Sequence, residues 1–329
     1  MTEYRVAIIG CGNIAGRWNN DPATSHALTH AKAYDLHPGT KLVACCDSEM
    51  NRAREFASRW GAGNCYQSVD ELLAREKVDI VSVCVPTPSH RDVVGKIARA
   101  GKGKSGGPKL VLLEKPVAAS EADALALAAD LNSAVIACSV NYIRRFDSLL
   151  QSVRGRIATG ELGKVQQFRG RYTKGLLNNG SHLVNLLRFY FGRIERWHIL
   201  DYFQELEGDP TVSLFVQFAS GVNGTIQGLR ESCYSVFDLD IMMEQGEIRL
   251  LDFCNRLDIL KTDPDPVYPS YRVLQREPLS MKTDLANAVY HYVSQSINAL
   301  EGKEEFLSPL ADAIYDVTFC VRVKEAIRS

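Results

Sequence analysis

The stretch that decides the fold is Gly10–Ala15 (GCGNIA), which follows directly on the apolar run Tyr4–Gly10 (YRVAIIG). It fits the pattern G-x-G-x-x-G/A between a buried strand and a helix. Gly10 permits a tight turn, Gly12 lets the backbone lie close to a pyrophosphate, and Ala15 allows the helix to pack against the strand. The N-terminus of that helix would face the phosphates. The sequence therefore predicts a dinucleotide-binding turn near its start.

The second apolar run, Lys41–Asp47 (KLVACCD), ends in a carboxylate. At this position of a dinucleotide-binding fold an acidic side chain accepts hydrogen bonds from the ribose hydroxyls of adenosine and repels a 2′-phosphate. Asp47 therefore favours NAD over NADP, although Arg52 lies close enough in sequence to bind a phosphate. A glycine turn followed by a helix-capping Asp is the alternative that involves no ligand.

An inserted segment lengthens this part of the chain. Gly12 and Asp47 are 35 residues apart, whereas about 20 are typical of the motif. The excess lies in Arg17–Ser25 (RWNNDPATS), through which a helix cannot continue because of Pro22. We expect the helix to resume at His26–Leu36. The segment leaves the sheet at its ligand-binding edge, so it is either part of a lid or ordinary surface.

The first part of the chain alternates apolar runs with helical segments. Uninterrupted apolar runs are typical of parallel strands that are buried on both faces. The pattern predicts an N-terminal Rossmann domain, a doubly wound parallel sheet, over residues 1–140. The later runs are Val78–Pro86, Leu110–Pro116 and Ala134–Val140, and the helices are Asn51–Trp60, Asp70–Glu76, Ser89–Ala100 and Ser120–Asn132.

The pattern changes to a period of two after about residue 145. It predicts a C-terminal α+β domain over residues 141–308, with a large, mostly antiparallel open sheet. One sheet face has no helix left to cover it and has apolar members, so we expect a homodimer or homotetramer through this sheet. The strands are expected at Lys164–Thr173, Arg196–Phe203, Thr211–Phe218, Gly224–Leu229, Tyr234–Met243 and Glu247–Phe253, and the helices at Asp147–Thr159, Asp284–Leu300 and Pro309–Ile327.

Composition excludes several classes of protein. Lys and Arg total 38 and Asp and Glu total 39, so a net charge of −1 gives no reason to bind nucleic acid or an anionic membrane. The longest apolar stretches, such as Ile80–Val85, fall well short of the roughly 20 residues that span a bilayer. The nine cysteines include no C-x-x-C pair. We therefore expect no metal site and no disulfide framework, but buried thiols in the reducing cytoplasm.

Three further motifs follow in order: Val85–His90 (VPTPSH), Glu114–Pro116 (EKP) and Asn141–Asp147 (NYIRRFD). Together with the glycine-rich turn they resemble the Gfo/Idh/MocA family of oxidoreductases, and the resemblance extends over the whole chain. It implies an NAD-binding domain, a domain for substrate and assembly, and a last helix, 309–329, that packs back on the first domain. The residues implied for the cofactor are Gly10, Gly12, Asn13, Ile14, Asp47, Arg52, Pro86, Thr87, His90, Glu114 and Lys115.

Two residues are candidates for catalysis. Lys115 would lie at the end of a central strand beside the nicotinamide, where its ammonium can hydrogen-bond the reacting oxygen. His182 opens a helical stretch, and an unperturbed histidine pKa of about 6.5 suits proton transfer near neutrality. Because Lys115 and His182 come from different domains, we expect both to reach the reacting hydroxyl across an interdomain cleft.

The segment around His182 departs from the family pattern. In the family it reads D-x-G-x-H-x-x-D, and here it is Asn178–Asn185 (NNGSHLVN). An Asp beside histidine stabilises the imidazolium, whereas Asn can orient the ring but supplies no charge. The two asparagines are alternatively only turn and helix-start residues. The residues expected to bind substrate are Arg144, Lys174, Asn178 and Asn185.

These expectations describe an NAD(P)-dependent oxidoreductase. It would transfer a hydride between nicotinamide and a hydroxyl carbon of a small carbohydrate, which is a sugar, a polyol or a nucleotide-sugar. The alternative is a nucleotide-binding regulatory or sensor protein on the same scaffold, without turnover. The loss of both acids favours that alternative, and the presence of Lys115 and His182 opposes it.

Overall fold

The computed structural model describes residues 3–19, 24–102 and 107–327. The chain forms two compact units, Met1–Phe146 with Ala286–Thr318 and Asp147–Leu285 with Phe319–Ser329. These boundaries differ from the expected ones, because residues 286–308 belong with the first unit and the last helix is divided between the two. The reason is that apolar side chains near residue 290 complete the core of the first unit.

The first unit contains a six-stranded parallel sheet in the order β3-β2-β1-β4-β5-β6. The order reverses direction at β1 and β4, which is the switch point where ligands bind in doubly wound folds. The sequence missed β3, because its three residues form no apolar run. The strands are β1 (Tyr4–Ile9), β2 (Thr40–Cys46), β3 (Asn64–Tyr66), β4 (Ile80–Val83), β5 (Leu110–Leu113) and β6 (Ala137–Val140).

Side-chain caps fix where several helices of this unit begin. The Thr29 hydroxyl accepts a hydrogen bond from the Lys32 N–H, and Ser120 caps its helix in the same way. The helix after the insertion therefore begins at His30 and not at His26. Residues 20–23 of the inserted segment lie outside the described residues. The helices are α1 (His30–Leu36), α2 (Met50–Trp60), α3 (Val69–Arg75), α4 (His90–Gly101) and α5 (Glu121–Ala134).

The second unit contains a nine-stranded, mostly antiparallel sheet in the order β14-β13-β12-β11-β7-β10-β9-β8, with β15 paired to β13. The fold class expected from the sequence is confirmed, and β7 and β10 are the parallel pair. The elements are α6 (Ser148–Thr159), β7 (Val165–Tyr172), α7 (Ser181–Phe191), β8 (Ile194–Leu206), β9 (Asp209–Phe218), β10 (Asn223–Gly228), β11 (Phe237–Met243), β12 (Gly246–Leu251), β13 (Arg256–Pro264), β14 (Arg272–Leu274) and β15 (Leu279–Lys282).

The two faces of this sheet differ in chemistry. On the covered face, Phe191 of α7 packs against Phe168 and Phe218, with ring centroids 5.7 and 5.4 Å apart. The other face carries cross-strand ion pairs such as Arg169–Asp240, 2.7 Å between nitrogen and oxygen. Val212, Leu214, Val216 and Phe218 of β9 are buried, whereas Phe215 alternates with them and is half-buried. The open face therefore carries ion pairs as well as apolar side chains.

The last two helices are α8 (Ala288–Leu300) and α9 (Leu310–Ala326). Tyr292 of α8 is fully buried in the core of the first unit, where its hydroxyl donates to the Ser139 carbonyl oxygen at 2.7 Å. Burying a side chain of this size contributes about 1.5–3 kcal/mol. Among the helices of the described ranges, none is both long and apolar enough to cross a membrane.

Candidate functional site

A cleft of about 850 Å³ opens at the carboxyl ends of β1, β2 and β4. Ligands bind at this edge of an open α/β sheet. The expected cofactor residues that line it are Gly10, Gly12, Asn13, Ile14, Asp47, Arg52 and Pro86. Thr87, His90, Glu114 and Lys115 are not among its lining residues.

The glycine-rich turn fits a bound pyrophosphate. Gly10 has φ +90°, and a Cβ there would lie 2.7 Å from the Cys84 carbonyl carbon, so only glycine fits. A Cβ at Gly12 would meet nothing within 4 Å, which leaves open space beside the backbone. A single turn of π-helix, Asn13–Arg17, begins at this point. The chain therefore presents backbone with free space around it where the phosphates would lie.

Asp47 is fixed at the wall of the cleft by its neighbours. One carboxylate oxygen accepts the Cys11 N–H at 2.9 Å, and the other accepts the Glu49 N–H at 2.9 Å. The Arg52 guanidinium lies 3.2 Å from Asp47 and also bonds to Glu49. Two carboxylates therefore neutralise the cation that could otherwise bind a 2′-phosphate.

Part of the cleft wall was not predicted from the sequence. Gln67, Ser68 and Val69 follow β3, the strand that the sequence missed. Lys96 lies at the same wall and pairs with Asp92 at 2.9 Å. That hydrogen bond raises the pKa of the Lys96 ammonium above its usual value. If β3 were recognised in the sequence, Gln67, Ser68 and Val69 would be predicted at the cleft, because the carboxyl ends of parallel strands lie at one edge of the sheet.

His90 lies between the segments that follow β4 and β5. It is 1% exposed, and its ring nitrogens lie 3.0 Å from the Val85 carbonyl oxygen and 3.2 Å from that of Val117. Burial lowers its pKa, so the ring is neutral near pH 7. The neutral ring donates to one of these two carbonyl oxygens. Its contact with the cofactor stays a prediction.

Glu114 and Lys115 directly follow β5. Lys115 is half-buried. The Glu114 carboxylate is directed into the first unit, where its Oε1 lies 2.9 Å from His30 Nε2 and accepts the Asn141 side-chain N–H at 2.7 Å. Glu114 therefore lies in a buried hydrogen-bond network, and its contact with the cofactor stays a prediction.

Asp209 holds the turn that precedes His182 in the second unit. Its carboxylate accepts the N–H groups of Leu177 and Asn178 at 2.8 and 3.0 Å. A Cβ at Gly175 would lie 2.3 Å from one of its oxygens, so this approach requires glycine. Burial raises the pKa of Asp209. No local pattern indicates this contact, because Asp209 is 31 residues from Asn178.

The remaining candidates have varied surroundings. His182 is 8% exposed at the second position of α7, and its ring is edge-on to Phe237 at 6.5 Å. Asn185 is buried, and exposed Lys174 pairs with Glu231 at 3.0 Å. Arg144 is buried in the first unit. Across the described ranges of the chain, no three His, Cys, Asp or Glu side chains form a group that could hold a metal ion.

Comparison with known proteins also indicates an NAD-binding Rossmann domain. The sequence model of the oxidoreductase family with an NAD-binding Rossmann fold, Gfo/Idh/MocA, matches residues 4–142. This range contains the glycine-rich turn, Asp47 and Lys115. The match therefore covers the cleft and the strand that leads to Lys115.

Two curated relatives and one solved structure extend the comparison. The chain is 27% identical to scyllo-inositol 2-dehydrogenase (NAD(+)) of Bacillus subtilis over 70% of its own length and 69% of that protein. It is 26% identical to D-apiose dehydrogenase of Paraburkholderia graminis over 60% of its own length and 52% of that protein.

The solved structure is the WlbA dehydrogenase from Bordetella pertussis with NADH and UDP-GlcNAcA. The likeness covers 99% of this chain and 97% of that one, at a TM-score of 0.77 and 20% identity, and concerns the fold. With the motifs and the family match in agreement, residues 4–142 of this chain form an NAD-binding Rossmann domain of the Gfo/Idh/MocA family of oxidoreductases.

Proposed function

We propose that the protein is an NAD-dependent dehydrogenase that acts on a CH–OH group of a sugar, a polyol or a nucleotide-sugar. The observation that carries the proposal is the cleft, in which Gly12 leaves room for a pyrophosphate and Asp47 is fixed where an adenosine ribose would lie. The names of the relatives support the substrate class, because they act on inositol and apiose.

The chain's own residues divide the chemistry. Bound NAD would supply the acceptor of a hydride. Lys115 would hydrogen-bond the substrate hydroxyl and stabilise the charge that grows on its oxygen. His182 would take the hydroxyl proton as the carbon gives up its hydride, so that a carbonyl group forms. Arg144, Lys174, Asn178 and Asn185 remain the proposed substrate contacts.

The direct test is a substrate screen. Purified protein with NAD is offered inositols, aldoses, sugar phosphates and nucleotide-sugars, and formation of NADH is followed by its absorbance. Turnover with at least one class is expected. NAD binding without turnover on any class would instead favour the sensor interpretation, to which the asparagines at positions 178 and 185 lend support.

Cofactor preference should follow from the Asp47 cluster. We expect NAD to bind at least several-fold tighter than NADP, because a 2′-phosphate near the carboxylate is repelled and Arg52 is already paired. Glu49→Gln removes one of the two carboxylate partners of Arg52 and should reduce the preference for NAD over NADP. The measurement is the Kd of both cofactors by calorimetry.

The matched control is Glu55→Gln on α2, the helix that Glu49 directly precedes. Glu55 is exposed and pairs with Arg17, outside the lining of the cleft. The ratio of the Kd for NADP to the Kd for NAD should be the same in Glu55→Gln as in the unmodified protein. Equal or tighter binding of NADP by the unmodified protein would contradict the prediction.

We also propose a homodimer or homotetramer in the cytoplasm, assembled through the second-unit sheet. All nine cysteines are free thiols, which agrees with a reducing compartment. On the open face, Arg169 and Arg171 are partly exposed above Asp240 and Asp238, so polar contacts would dominate. Light scattering at micromolar concentration should give a molecular mass that is a multiple of the chain mass. That molecular mass should be lower for the Arg169→Glu variant. A monomer would refute the assembly.

A further inference from the structure

The inserted segment begins with a large exposed aromatic side chain. Trp18 is 57% exposed and directly follows the π-helical turn Asn13–Arg17. Among the described residues that line the cleft, Trp18 is the one aromatic residue. A single exposed hydrophobic residue is common on protein surfaces. Its place in the cleft is what calls for an explanation, because the mechanism proposed above gives Trp18 no part.

A buried asparagine fixes the chain directly after Trp18. Asn19 is 2% exposed, and its side-chain nitrogen donates to the Thr24 hydroxyl oxygen at 3.0 Å and to the His26 carbonyl oxygen at 2.8 Å. Its side-chain oxygen accepts the Leu28 N–H at 3.1 Å and the Thr29 hydroxyl at 2.9 Å. Both donors and both lone pairs of the amide are therefore used, and they hold the returning part of the segment beside Trp18.

The backbone around Trp18 is anchored at two further points. The Trp18 N–H donates to the Asn13 carbonyl oxygen at 3.1 Å, which ties it to the glycine-rich turn. The N–H of fully buried Ala27 donates to the Asn287 side-chain oxygen at 3.1 Å. Trp18 is thus an exposed aromatic side chain on a fixed backbone. Such a side chain offers a large contact area to a ligand at a low cost in conformational entropy.

The turn before Trp18 shows which way this side chain faces. Gly16 lies against α2, since a Cβ there would be 2.6 Å from the Phe56 ring. Residues two positions apart on a helical turn lie on nearly opposite sides of it. Ile14 and Trp18 are each two positions from Gly16, so they share the side away from α2. Both of them line the cleft.

The strand order relates that side to the two halves of a dinucleotide. α2 follows β2, and Asp47 at the end of β2 marks the adenosine side of the cleft. β4 lies on the other side of β1, and Pro86 beyond it lines the same cleft. With adenosine at Asp47 and the pyrophosphate at Gly12, the nicotinamide half lies away from α2. This is the side that Ile14 and Trp18 face.

We infer that the Trp18 indole packs against the nicotinamide half of bound NAD, so that the inserted segment contributes to the cofactor site. The inference rests on the NAD binding of the proposed function and requires no turnover. The oxidised nicotinamide is a flat cationic ring, and the face of an indole attracts such a cation. Ile14, which packs partly against the core, would supply an apolar neighbour.

The test compares two ligands that differ only in the nicotinamide half. Adenosine diphosphate (ADP) contains the adenosine and the pyrophosphate of NAD but lacks the second ribose and the nicotinamide. In Trp18→Ala the Kd for NAD should rise about ten-fold, the size expected for one lost aromatic contact. The Kd for ADP should stay within about two-fold. Trp18→Phe should retain most of the affinity for NAD. Both constants are measured by calorimetry.

Leu28→Ala is the matched control. Leu28 is 41% exposed on the same inserted segment and is not among the residues that line the cleft. The Kd values for NAD and ADP should both be the same in Leu28→Ala as in the unmodified protein. The side chains of Trp18 and Leu28 are both largely exposed, so these truncations should leave the fold intact.

Intrinsic fluorescence gives a second readout without any substrate. The chain has three tryptophans, Trp18, Trp60 and Trp197. An oxidised nicotinamide quenches the emission of an indole that it contacts, whereas ADP does not. Saturating NAD should therefore quench part of the emission, and this quenching should be lost in Trp18→Phe. It should persist in Trp197→Phe, since Trp197 packs against Phe319 in the second unit.

The outcomes separate this inference from the proposed function. An unchanged Kd for NAD in Trp18→Ala, or an equal rise for NAD and ADP, would overturn the inference and leave the proposed function intact. No binding of NAD to the unmodified protein would overturn both. A rise for NAD alone, together with quenching that depends on Trp18, supports the contact even if no substrate is turned over.

Discussion

Lys115→Ala is expected to lower turnover by about 10²-fold or more, because an ammonium placed against a developing oxyanion stabilises the transition state far more than the ground state. The Kd for NAD should stay nearly unchanged, since Lys115 is absent from the lining of the dinucleotide cleft. The measurement is kcat under saturating substrate, with NAD binding determined separately.

The control for this variant is Lys109→Ala. Lys109 precedes the same strand, is exposed and pairs with Asp79 at 2.9 Å, so its loss should leave turnover unchanged. Lys115→Arg keeps the charge in a different geometry and should recover only part of the loss. Undiminished turnover in Lys115→Ala would remove Lys115 from the mechanism.

His182→Ala should lower turnover by about 10²- to 10⁴-fold, the usual contribution of a general base, and should abolish the acidic limb of the pH profile. The loss of the limb is the specific sign, because a neutral imidazole must be present for proton uptake. His198→Ala is the matched control: His198 stacks on Phe215 at 6.2 Å in the same unit. A retained acidic limb in His182→Ala would assign the titration to another group.

Asn178→Asp tests the same histidine by addition of a charge. The new carboxylate should raise the pKa of the imidazole and move the acidic limb to higher pH. The backbone at position 178 is already held by Asp209, so the substitution should leave the turn in place. A limb that does not move would indicate that His182 is not the titrating base.

The sequence predicted the parts of the site that depend on local chemistry. Gly10 and Gly12 form the turn between an apolar strand and a helix, and Asp47 ends an apolar run. Each of these residues can therefore be recognised from its neighbours in the sequence. The family resemblance added Lys115. The sheet of the first unit was readable for the same reason, since buried parallel strands are continuous apolar runs.

What the sequence did not predict depends on contacts between distant segments. Asp209 and the turn before His182 meet only because β9 lies beside that turn. His30 and Glu114 are separated by 84 residues. Strands β13 to β15 contain many polar residues, and β3 is too short for a period to appear. These contacts and strands are defined only in the folded chain, so the residue pattern along the sequence does not reveal them.

The division of the chain has a consequence for biosynthesis. The first unit is built from two segments, and most of the second unit, residues 147–285, is translated between them. At synthesis rates of about 5–20 residues per second, on the order of ten seconds pass between synthesis of the first segment of the NAD-binding unit and synthesis of α8 with its Tyr292. During that interval the surface against which α8 packs is exposed, so chaperone demand should concentrate on this stage of synthesis. Both units are therefore completed only late in synthesis, because the first unit needs residues 286–318 and the second unit needs residues 319–329.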